Sequence, residues 1–445
     1  MTVAVRLRAE CFERRIRMAT IQDHELRYAL ANELHARPFP TLPPPCSAAI
    51  IAIKQAVNAG NRDRERDRAH LTDLLDRYGA QHPQPGATHY FGEIGKHRLK
   101  WENHTEFVTY TIFGDGLSDK PFDAEIFDAF PDDWLAKAPG VRITSALIHV
   151  DHAADDDAIS EKLIQWFVSD SLAASRVLDD NAVMAGDFRI DQSGHMRFAL
   201  FVRPDTGAQR VGRVVQRIFE TEVYKTMSMF GFSRARDLGS KIGSIDRELT
   251  ALISNMSSEE AKPDDTLRSL LNVSSRLEDI LAKSSFRFGA TNAYQALVHQ
   301  RIKVLREERF HGRQTFAEFM TRRFDPAMRT VRATEDQLKS MAERGSRAAE
   351  LLRTRVDVER SAQNQDLLAS MDRRADLQLR LQHTVEGLSV VAISYYAVNL
   401  ATYLAYPFLD GVGLSKGMTT AILTPIVILL VWFMVRRIRR RMEKD

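Results

Sequence analysis

Residues 327–406 contain no proline, and their only glycines are Gly345 and Gly387. Proline removes a backbone donor and breaks the helical ladder, so this run predicts one near-continuous helix. At 1.5 Å per residue it reaches on the order of 120 Å, more than a globular core requires. Its final turns become apolar. Residues 387–409 carry no charge, and after the connection 410–416 residues 417–435 carry none either. Each run matches the roughly 20 residues that cross a ~30 Å hydrocarbon core. A buried soluble hairpin seldom lacks every charge over two such lengths, so the pair predicts a two-span anchor in a lipid bilayer.

Basic residues set the expected orientation. Arg373, Arg374 and Arg380 precede the first run, and Arg436, Arg437, Arg439, Arg440, Arg441 and Lys444 follow the second, whereas the connection holds one lysine. This positive-inside bias predicts both termini in the cytoplasm of a bacterial inner membrane, with the short loop outside. The same tail reads as a contact with anionic lipid rather than a nucleic-acid patch. The N-terminal segment is too charged for a signal-peptide core, so the part preceding the spans is expected to stay cytoplasmic. A net charge of +3 and a charged fraction of 27% give no global nucleic-acid signature. Cys11 and Cys46 cannot build a disulfide framework and match no metal-ligand spacing.

The remaining chain predicts an α+β domain with a mainly antiparallel sheet over residues 1–206. A helical region follows over 207–325, then a stalk helix 326–386, spans 387–409 and 417–435 about the loop 410–416, and a basic tail 436–445. Residues 1–20 read as a short basic lead that can form a helix. Leu26, Leu30 and Leu34 fall at helical spacing before Pro38. Prolines 38–45 form an extended connector, and residues 47–53 read as a buried strand. Residues 62–78 read as a charged helix, and 88–113 as a strand pair turning at Lys96 and His97. Residues 141–150 read as a strand, 157–171 as a helix, and 182–190 with 195–202 as a hairpin. Four helices are expected at 211–229, 237–256, 265–282 and 292–309. The long helix shows spaced apolar residues without a strict heptad, so it is expected to pack on neighbours rather than form a two-stranded coiled coil.

Four groups are candidates for function. Tyr395, Asn399, Thr402 and Tyr406 recur at helical spacing in the first apolar run, with Ser394 beside them. Polar groups in hydrocarbon seek partners on other helices or water in a lumen, so this stripe predicts a pore or a helix-packing face. Contact with the second span, with tyrosines at headgroup level, is the other outcome. His24, Glu33, His35 and Arg37 cluster beside the proline connector. They predict either an anion or carboxylate site, or capping and interdomain hydrogen bonds. His149, Asp151, His152 and Asp155 offer possible ligands to a divalent cation at a strand end. Aspartates there also favour a helix's first turn. Finally, Arg436, Arg437, Arg439, Arg440 and Arg441 form the lipid-facing tail. His89, His97 and His104 have no ligand spacing and read as structural. No phosphate-binding loop, nucleophile elbow or zinc-protease motif is present, so no cofactor and no catalysis are expected. A hydrolase built on Glu33, His35 and Arg37 is the least favoured class.

With the segment HELRYALANELHARPFP (residues 24–40), the string WENHTEFVTYTIF and the paired spans, the chain resembles an uncharacterised bacterial family of membrane-anchored proteins carrying a domain of unknown function. Its architecture is also similar to CorA-type divalent-cation channels, in which long helices from several copies line a pore. That resemblance implies a homo-oligomer and cation transport. The Gly-Met-Asn signature that closes the first span of that family is absent. Tyr406, Pro407 and Phe408 stand there, while Gly417, Met418 and Thr419 follow the loop, so the selectivity tied to the signature does not transfer. The competing expectation is a membrane-tethered scaffold or sensor without transport.

Overall fold

A computed structural model describes residues 22–33, 39–56, 62–153, 155–256, 262–409 and 415–442. The predicted basic lead and the end of the leucine stripe, Leu34 to Pro38, lie outside these. Leu26, just before helix α1 (Arg27–Glu33), and Leu30 within it are exposed rather than packed.

Strand β1 (Cys46–Lys54) runs apolar on both sides because both faces of its sheet are covered. Helix α2 (Arg64–Tyr78) starts where Asp63 accepts the Glu65 N–H at 2.9 Å and stops at Gly79, whose φ of 61° suits a residue without Cβ. Next come β2 (His89–Ile94), β3 (His97–Asn103) and β4 (Phe107–Asp115). The predicted strand pair is therefore three strands. Its second arm reverses at residues 104–106, where the His104 N–H donates to the Phe107 carbonyl at 2.9 Å. A short 3-10 helix Ala124–Ala129, α3 (Asp132–Ala136), β5 (Val141–His152) and α4 (Asp156–Trp166) follow. Helix α4 ends earlier than the predicted residue 171.

Strand β6 (Ala173–Val177) has no counterpart in the prediction, while β7 (Ala182–Ile190) and β8 (Met196–Val202) form the expected hairpin. The four predicted helices are two, α5 (Ala208–Asn255) and α6 (Pro263–Lys303). Gly231 and Gly289 fall in two of the gaps left between the predicted helices. Gly231 instead lets the Thr291 side chain approach its backbone, and this packing overrides a propensity cost of about 1 kcal/mol. After β9 (Glu308–Arg309) come α7 (Phe316–Phe319), a π-helical turn Met320–Phe324, α8 (Asp325–Leu409) and α9 (Lys416–Met442).

Among the described residues the sheet has nine strands in the order β2-β3-β4-β1-β5-β8-β7-β6-β9, antiparallel except for the parallel pair β5–β8. An α/β body with a mostly antiparallel mixed sheet thus precedes the long helices. The chain forms two compact units, Met1–Leu252 with Leu271–Ser346, and Ile253–Leu270 with Arg347–Asp445.

In the first unit, one sheet face packs Ala49, Ile51, Trp101 and Tyr110 against Leu71 and Leu75 of α2 and against Trp134. Further along the same face, Ala174, Ala185 and Ala199 leave room for Ile159 and Leu163 of α4. The opposite face meets α5 through Lys100 and Gln216 (2.9 Å) and through Thr144 and Glu222 (3.1 Å). Arg344 with Asp246 (3.1 Å) and Arg332 with Gln295 (2.6 Å) join α8 to α5 and α6. Leu338 and Met341 are buried there, as expected for a helix packed on neighbours. In the second unit, Leu352 and Val356 are buried, Arg355 donates to the Met256 carbonyl at 2.9 Å, and Arg360 pairs with Asp264 at 2.8 Å.

Candidate functional site

The C-terminal hairpin lies within the second unit. Helices α8 and α9 each contain a stretch long and apolar enough to cross a membrane, with mean hydropathies of 1.4 and 2.3. Side chains along both stretches are mostly exposed, which an apolar surface reaches stably in lipid rather than in water. Helix α9 returns beside α8. Lys416 Nζ sits 5.4 Å from the Tyr403 ring centre, and Val435 and Ile438 share a groove with Val390 and Ile393. Pro407 and Pro425 lie inside the helices.

The polar residues of the first apolar stretch divide between covered and exposed positions. Ser394 and Thr402 are buried at 8% and 5% exposure, and Thr419 of α9 at 1%. Thr402 donates to the Val398 carbonyl at 2.8 Å, the usual way a hydroxyl satisfies itself in a helix. Tyr395 and Asn399 face outward, with Tyr395 67% exposed. Asn399 Nδ2 donates to the Tyr395 carbonyl at 3.0 Å, which leaves its carbonyl oxygen turned to the surroundings. The Tyr406 side chain lies outside the described residues. Tyr395, Asn399 and Thr402 fall within an arc of about 60° at 3.6 residues per turn, so they share one stripe, and what differs is whether another helix covers that stripe at each height.

In the basic tail, Arg436 stacks 4.9 Å from the Trp432 ring centre and Arg437 is exposed. The backbone of Arg439, Arg440 and Arg441 continues α9.

The acidic strand end is occupied by local partners. His149 is buried, and burial lowers its imidazole pKa despite Asp151 at 4.0 Å. Asp151 accepts from Lys162 at 2.8 Å. His152 Nε2 lies 3.1 Å from the Pro44 carbonyl, and Asp155 caps α4 by accepting the Asp157 N–H at 3.2 Å. Among the described residues no group of three or more His, Cys, Asp or Glu side chains converges as a metal-ligand set. Around the proline connector, exposed His24 accepts the Leu26 N–H at 3.1 Å. Glu33 ends α1, and His35 and Arg37 lie outside the described residues.

Residues not singled out by sequence form a buried charged layer between the sheet and the long helices. Lys100 pairs with Glu102 at 3.2 Å, both nearly covered. Arg287 of α6 pairs with Glu106, while partly covered Arg301 of α6 pairs with Glu220 of α5 between the helices themselves. On a strand, polar residues alternating with Leu99 and Trp101 read as a solvent face, and only the placement of α5 shows otherwise. The sequence profile of a family described as a protein of unknown function, DUF3422, matches residues 22–442. No curated protein matches the chain.

Proposed function

The chain belongs to this DUF3422 family, and from that premise we propose a membrane-anchored protein that self-associates through α8, in the manner of a CorA-type cation channel. The observation that supports this is one continuous exposed seam. Leu381, Val385, Leu388, Ala392, Tyr395 and Asn399 follow one another at alternating steps of four and three, the spacing of a helix-packing repeat. All six are exposed in the single chain. Leu381 and Val385 precede the uncharged run and are apolar where water is expected, while Asn399 is polar where hydrocarbon is expected. A face unsuited to both solvents is relieved by packing on other copies of itself. Chains inserted with one orientation present this seam in parallel.

In this reading the protein sits in a bacterial inner membrane with both termini cytoplasmic. Arg436 and Arg437 contact anionic headgroups, and the outward pair Tyr395 and Asn399 faces a shared axis. The test is the molecular mass of the detergent-solubilised full-length chain, together with cross-linking of Val385→Cys. A symmetric oligomer with rapid disulfide capture at 385 is expected, and a monomer without capture rejects the proposal. Divalent-cation flux into proteoliposomes then separates a channel from a tethered sensor. Self-association without flux favours the sensor, a reading supported by the cleft described next.

A further inference from the structure

A cleft of about 510 Å³ opens on the face of the sheet that α2 and α4 cover, and its floor is a row set by strand register. Ser47 of β1 stands opposite Gly114 of β4 on one side and His149 of β5 on the other. His97 lies one position beyond the Arg98–Phe113 pair and so continues the row past Gly114. The missing side chain of Gly114 leaves a cradle. An atom in the Cβ position would lie 3.0 Å from Ser47 Oγ and 3.4 Å from His97 Nδ1. His97 Nδ1 is buried with no hydrogen-bond partner, so this cradle faces an unanswered polar atom. His149 is buried at 8% exposure and closes the row.

Cations and carboxylates both rim the cleft, and two of the carboxylates already have partners. Asp115 is held by Arg98 at 3.1 Å, and Asp123 accepts from Ser118 Oγ at 2.6 Å and from the Glu125 N–H at 3.1 Å. Lys96 and Lys120 line the cleft and form no ion pair among the described residues, with Asp123 and exposed Glu125 as the nearest opposing charges on that rim. Phe122, at a φ of 57°, holds one wall against Trp166 and Phe167 in a conformation uncommon for a bulky side chain. Two ammonium groups without a direct ion pair, a hydroxyl and an unpartnered imidazole nitrogen beside the bare Gly114 backbone make a donor set suited to an oxyanion.

We infer that this cleft binds the oxyanion of a small soluble molecule, a phosphate or a carboxylate. One of its oxygens occupies the Gly114 cradle between Ser47 and His97, and Lys96 and Lys120 face its charge. The inference stands apart from self-association, since every residue of the cleft belongs to the α/β body.

The test is calorimetric titration of the full-length protein in detergent with inorganic phosphate and, in a second arm, with acetate, at matched ionic strength against chloride. Saturable binding in either arm is expected, and the stronger arm identifies the oxyanion. Gly114→Ala fills the cradle without a backbone penalty and is expected to weaken binding at least about tenfold. Lys120→Glu, on the exposed loop, provides the same reading should the glycine variant fail to fold. Absence of binding in both arms, or binding that both variants leave unchanged, overturns the inference.

Discussion

Arg287 and Glu106 stand 181 positions apart and pair where α6 crosses the tight turn between β3 and β4. The Glu106 side chain is 1% exposed and that of Arg287 15%. Tyr294, its hydroxyl pKa raised by burial and by the nearby Glu106 charge, packs beside them. This pair joins the helical layer to the sheet.

Removing one member strands a buried charge. Arg287→Ala is expected to lower stability by about 3 kcal/mol, and adding Glu106→Gln should recover much of that loss. Denaturant midpoints of the two variants decide it. If the double variant is no more stable than Arg287→Ala alone, the pair does not carry the contact.

Two glycines of α5 should respond in opposite directions to the same change. At Gly231 a methyl group overlaps the Thr291 side chain, so Gly231→Ala is expected to destabilise by about 1–3 kcal/mol. Gly243 faces open space in a helix interior, so Gly243→Ala should gain about 1 kcal/mol. Equal signs in thermal unfolding would refute this reading of the helix contact.

Acid should destabilise the α/β body. His70 Nε2 lies 3.0 Å from the Trp134 carbonyl and Nδ1 lies 2.9 Å from the Tyr110 hydroxyl, an arrangement suited to a neutral ring. Burial lowers the pKa of His70, and likewise of His97, His149 and His195, from an ordinary value of 6.5. The unfolded chain therefore binds more protons once pH falls below 6.5. The stability they contribute is fully present above that value and is lost as pH drops toward the folded-state pKa values. Unfolding midpoints should fall between neutral pH and about pH 5, less steeply in His70→Gln. A steeper fall in the variant would contradict the assignment.

Asn399→Leu removes the polar member of the exposed seam. It is expected to weaken self-association by about 1 kcal/mol, roughly fivefold, while Asn399→Gln retains it. Energy transfer between labelled chains in detergent measures this. Tighter association of the leucine variant would mean the seam is held by apolar contact alone.

The apolar hairpin was readable because it depends on what is missing locally, proline and charge, over lengths that match a bilayer's thickness. The leucine stripe before the proline connector showed correct helical spacing, yet Leu26 and Leu30 are exposed, since periodicity does not say whether a partner lies opposite. His97 looked unremarkable in sequence because its neighbours Gly114 and Ser47 come from other strands, at separations only register specifies.

By itself, then, the sequence determined the long helix, the two candidate spans and the mainly antiparallel class of the sheet. Each of these follows from runs and periods within a segment. Tertiary structure decided that Lys100, Glu102 and Glu106 are buried, that α5 and α6 continue through their glycines, and that Thr402 is covered while Asn399 is exposed. It also brought Ser47, His97 and His149 into one row. These outcomes depend on which surface another element covers, and that free energy belongs to pairs of segments rather than to either one.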